Sequence, residues 1–76
     1  MNYKEGKTIH LYEERAEDHV CTAHILKVID HPEYSNDRLI IYRWWSRHRQ
    51  KWFYGVTEIW RQELWKDYVN KVKNNK

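Results

Sequence analysis

The sequence predicts a small α+β domain: an antiparallel sheet of about four strands in meander order, with one C-terminal α-helix packed on one face. Three observations predict it. Up to Val56 the apolar residues largely alternate with polar ones, the period of a strand. Short polar clusters, Glu13–Asp18, His31–Asp37 and Ser46–Gln50, break that alternation into segments. From Thr57 the spacing of apolar residues lengthens to that of a helix.

Length sets the scale. The 76 residues allow one domain over 1–76, with 1–6 and 73–76 expected to fray. A domain this small buries a modest core. Large side chains offset that, and five Trp, six Tyr and one Phe supply them. Two Gly and one Pro are too few for a linker or a low-complexity tail.

The first strand is expected over Thr8–Tyr12, where Ile9 and Leu11 oppose His10 and Tyr12. An acidic loop follows. His19–Asp30 is rich in β-branched and apolar residues and reads as a strand apolar on both faces. Strict alternation puts Val20, Thr22, His24, Leu26 and Val28 on one side, and Cys21, Ala23, Ile25 and Ile29 on the other. A helix competes for this segment, because nothing within AHILKVI breaks one.

Pro32 disfavours helix at His31, and Ser35, Asn36 and Asp37 favour a turn. Arg38–Trp45 is the clearest strand, with Leu39, Ile41, Arg43 and Trp45 on one side and Ile40, Tyr42 and Trp44 on the other. Lys51–Val56 pairs back on it, and Gly55 marks a bulge or a close approach to the backbone. The helix is expected from Thr57, as its cap, to Val72. Its buried stripe is predicted to be Trp60, Leu64, Trp65, Tyr68 and Val72, with Trp60 and Trp65 in the core. Strands followed by a helix make an order that resembles small chromo-type or SH3-like β modules in architecture, a likeness that implies nothing about function.

Charge is divided unevenly. Residues 1–37 hold four basic and eight acidic residues, net −4, whereas residues 38–76 hold ten and three, net +7. Such a division suits an anionic partner, an attraction between the two halves of the fold, or association of two copies. The stretch 38–56 concentrates it, with three of the five Trp, five basic residues and no acid.

That ribbon is the candidate site: Arg43, Trp44, Trp45, Arg47, Arg49, Lys51, Trp52 and Tyr54. Indoles stack on bases and guanidinium groups fork onto phosphates, so nucleic acid or a nucleotide-like anion is the expected ligand. The same residue types dominate protein interfaces. The alternative is therefore an interaction or inhibitor module, of a build that mobile elements encode, with a protein partner or a homodimer. A plainer reading also stands, with the tryptophans as core and the arginines as a solvated turn.

Other constellations carry less. His19, Cys21, His24 and His31 are zinc-ligand types, but on a strand His24 points away from His19 and Cys21, and no second Cys is present. No metal or cofactor is expected. Glu13, Glu14, Glu17 and Asp18 read as a solvated loop. Cys21 beside His10 or His24 lacks an activating context, so the chain is expected not to be an enzyme. A single cysteine, no apolar run long enough for a membrane span and no secretory pattern in MNYKEGKTIHLYEE suggest a cytoplasmic protein.

Overall fold

The computed structural model describes residues 3–14 and 18–74. Four strands, β1 (Thr8–Leu11), β2 (Cys21–Asp30), β3 (Arg38–Ser46) and β4 (Lys51–Glu58), precede one helix, α1 (Ile59–Asn74). The strands form one antiparallel sheet in the order β1-β2-β3-β4. This is the expected α+β meander with its C-terminal helix. The molecule is a slab 37 × 36 × 19 Å, about the depth of one sheet and one helix.

Cross-strand partners share a face, so the register sorts the side chains. Tyr42 faces Ile25 and Gly55, and Ile40 faces Val28 and Thr57. These belong to the covered face with Leu11, Ala23, Trp44 and Phe53. The core lies here: Leu11, Ala23, Ile25 and Ile40 are buried, and Val69 of α1 closes over them. The other face carries Thr22, His24, Lys27, Ile29, Leu39, Ile41, Arg43, Trp45, Trp52, Tyr54 and Val56. No element lies over it among the described residues.

Strict alternation holds along β3 but fails in β2. Leu26 is a bulge between Ile25, opposite Tyr42, and Lys27, opposite Ile41. The extra residue reverses parity beyond it, so Val28 joins the covered face and Ile29 the open one. Strict alternation puts both on the opposite sides.

The helix differs from expectation in start and in face. Thr57 and Glu58 remain in β4, and α1 follows with no connecting loop. Asp37, not Thr57, serves the helix start: its Oδ1 accepts the free backbone N–H of Trp60 at 3.3 Å. The buried helical residues are Gln62 and Val69, whereas Trp60, Leu64 and Tyr68 are 46%, 55% and 45% exposed. Trp65 and Val72 are half-buried. The reason is polar. Gln62 accepts the Tyr12 N–H at 2.9 Å, and its amide donates to the Tyr12 carbonyl and to Thr57 Oγ1, each at 3.2 Å. It thus satisfies backbone groups just past the end of β1 and ties the helix across the sheet.

Residues 3–6, expected to fray, are held. Gly6, at φ 82°, donates its N–H to the Ile25 carbonyl, and Tyr3 donates its hydroxyl to Glu63. Residues 1–2 and 75–76 lie outside the described residues. Gly55 marks a close approach rather than a bulge: a Cβ there would lie 2.6 Å from Tyr42 Oη. The Tyr42 ring crosses the gap left by the missing side chain.

Candidate nucleic-acid interface

The β3–β4 hairpin builds the site. Its turn is fixed by its own hydrogen bonds. Ser46, buried, accepts the Arg49 N–H on its hydroxyl at 3.2 Å and the Gln50 N–H on its carbonyl at 2.8 Å. Gln50 takes the left-handed conformation (φ 56°), and its amide donates to the Arg47 carbonyl at 2.7 Å. The turn residues Arg47, His48 and Arg49 are left exposed.

Behind the turn, the open face presents aromatic rings. Trp45 faces Trp52, with ring centroids 5.4 Å apart and planes at 69°. The Arg43 guanidinium lies 4.3 Å from the Trp52 ring centroid, a cation–π contact. His24, which pairs with Arg43 in the register, meets Trp52 edge-on at 5.6 Å. Trp45, Trp52 and Tyr54 remain 44%, 36% and 66% exposed. The Arg43 Nε is sealed from solvent and has no hydrogen-bond partner.

Not every sequence candidate joins this group. Trp44 points to the covered face and stacks on Phe53 at 5.1 Å and 20°. Lys51 is on that side too, 5.0 Å from the Phe53 centroid. The open face and turn therefore gather Arg43, Trp45, Arg47, Arg49, Trp52 and Tyr54. Sequence reasoning missed His24 and Lys27, which reach this face from β2. The His24 alternation was legible; its neighbours on β3 depended on the register.

Electrostatics favour an anion on this face. None of the ion pairs among the described residues involves Arg43, Arg47, Arg49 or Lys51. Among the described residues, the only acidic strand residue on the open face is Glu58, about 23 Å from the turn at the usual rise along a strand. It is already engaged, by the Trp60 indole N–H and by Arg61 at 3.7 Å. In the β1–β2 loop, Asp18 is answered by the helix end, bonded by Lys73 at 3.0 Å. That bond, with the His19 N–H, holds its carboxyl at about 2, well below the ordinary value. Asp18 thus meets the end of α1 rather than the hairpin arginines.

Two other features bear on chemistry. His31, Asp37 and Glu58 place ligand-type atoms within 4.8 Å of one another. The donor set does not suit a metal held through His31. Its Nδ1 accepts the Glu33 and Tyr34 N–H groups at 3.0 and 3.1 Å, so the ring proton sits on Nε2, which faces Glu58 at 3.8 Å. A ligating histidine instead donates its other ring N–H. Cys21 and His24 lie on opposite faces, as alternation along the strand predicts, and do not converge.

On the covered face, a cleft of about 650 Å³ opens between the sheet and the first turns of α1, lined by Cys21, Tyr42, Trp44, Arg61 and Trp65 among others. Burial, with Glu13 nearby, pushes the Cys21 thiol up, and burial also raises the Tyr42 phenol.

No protein-family model matches the chain, and neither a curated protein nor a solved structure matches it. No helix among the described residues is long and apolar enough to cross a membrane.

Proposed function

We propose that this chain is a non-enzymatic binding module for nucleic acid, engaged through the open sheet face and the basic turn. One observation carries the reading. Exposed rings and a guanidinium stacked on one of them share a face whose one acid among the described strand residues is already engaged. Arg47 and Arg49 hold phosphates, and the indoles meet bases. A thiol pushed up rather than down is a poor nucleophile, which speaks against Cys21 as a catalytic group. A single cysteine, with no second one for an internal disulfide, suits a cytoplasmic setting.

Binding of a fluorescent oligonucleotide, followed by anisotropy, tests the reading. Two phosphate contacts predict an affinity loss of roughly 10-fold between about 50 and 200 mM salt. An affinity that does not respond to salt removes the phosphate grip and with it the proposal.

A second reading has its own support. Trp60, Leu64 and Tyr68 follow one another at i, i+4 and i+8, all half exposed, on the side of α1 away from Gln62 and Val69. Apolar ridges of that kind mark protein contacts, with a partner or with a second copy. A solution mass above that of one chain, reduced to one chain by Leu64→Glu, would favour it.

A further inference from the structure

We infer that the nucleic acid is single-stranded, with Trp45, Trp52 and Tyr54 as platforms for unpaired bases; the inference rests on the reading above. Three features carry it. The rings lie on a sheet face and are 36% to 66% exposed, with Arg43 stacked against Trp52. In a duplex the base faces are hidden against one another, so a ring reaches them only where the strand is unpaired.

The second feature is the end of the hairpin. β3 pairs with β2 only as far as Arg43, so residues 44–53 extend as a two-stranded ribbon. A ribbon of this width enters a major groove when its side chains can read base edges. Here its two sides carry Trp45 and Trp52, and Trp44 and Phe53, and the amide of Gln50 is held by the Arg47 carbonyl. Lys51 and the exposed turn residues Arg47, His48 and Arg49 put donors at the tip, but along their length those sides offer ring surfaces. They match the faces of bases rather than their edges.

The third feature is charge. Lys27, Arg43 and the turn arginines make the open face repel a second copy of itself, while a polyanion is drawn to it. The Arg43 guanidinium holds the Trp52 ring in place before any ligand arrives, which lowers the ordering cost of stacking.

The test compares a short labelled DNA strand of mixed sequence with the same strand annealed to its complement, at one salt concentration. The free strand is expected to bind at least about ten-fold tighter and to quench tryptophan emission. Tyr54→Ala, at the most exposed ring, should weaken the free strand about ten-fold and leave the duplex unchanged, while Tyr54→Phe restores it. Arg47→Ala with Arg49→Ala should weaken both forms alike and flatten the salt response. Equal or tighter duplex binding overturns the single-strand inference and leaves the nucleic-acid reading standing. No binding of either form at low salt overturns both.

Discussion

The two faces of one sheet are made from the same residue types and have opposite fates. On the covered face, Ile25 and Ile40 are sealed under α1, and the aromatic residues Tyr42, Trp44 and Phe53 are at least half-buried. On the open face, Trp52, Tyr54 and Val56, on the strand that leads into the helix, remain in solvent. Hydrophobicity does not distinguish them. The neighbours do: on one side Gln62 ties the helix across the strands, and on the other Arg43 occupies the Trp52 ring. Aromatic content in a short chain therefore says little about burial until the register is known.

The comparison can be broken most sharply by paired truncations. Ile40→Ala removes a side chain with no exposed surface from a central strand, and should cost about 2–5 kcal/mol. Val56→Ala, on the open face, should stay within about 0.5 kcal/mol. Urea unfolding measures both, and similar losses would mean that something covers the open face in solution. Trp60→Ala belongs with Val56→Ala in kind, well below the Ile40 loss, because the indole is half exposed.

The polar tie comes next. Gln62→Ala leaves the Tyr12 N–H and carbonyl without their partner, and should cost about 1–3 kcal/mol in the same experiment. A neutral result would mean that water replaces the amide and that apolar contact alone seats the helix. Gly55→Ala comes third. Its Cβ would crowd the Tyr42 ring, so a destabilisation of about 1–2 kcal/mol is expected, relieved when Tyr42 is replaced by Leu. If the single variant is as stable as the parent, the ring moves freely and the packing of that face is looser than it looks.

The smallest effect concerns charge. The Asp18 carboxyl titrates at about 2 when folded, against an ordinary value of 3.8. A lowered folded value stabilises above the unfolded one, so the contribution of the Lys73 pair is complete above about pH 4 and fades as the pH falls toward 2. A carboxyl titration by NMR reads it directly. An Asp18 that titrates normally would leave the acidic loop free to answer the hairpin arginines and would weaken the contrast between the two ends of the molecule.

Much of the fold was legible because alternation is unbroken where it matters most. Arg38–Trp45 sorted correctly into two faces, so the separation of Trp44 from Trp45 and Arg43 was visible in the residues themselves. Which of those faces the helix would cover was not visible, since it depends on how the chain crosses the sheet after Glu58. The β2 faces failed beyond Leu26 because a bulge has no signature in a run of aliphatic residues. The helix face was legible only in part: Trp65 and Val72 lie on it with Val69, but its centre includes Gln62, buried through hydrogen bonds to Tyr12, fifty residues away. The site was legible as a composition, and His24 and Lys27 were missed because they join it only across strands.

The direct passage from β4 into α1 fixes the rotational phase of the helix. Each residue added to a helix turns it by about 100°. A single insertion at the junction after Glu58 would swing Gln62 away from Tyr12 and bring a different set of side chains down onto the sheet. The length of that seam is therefore as constrained as the residues that the helix buries.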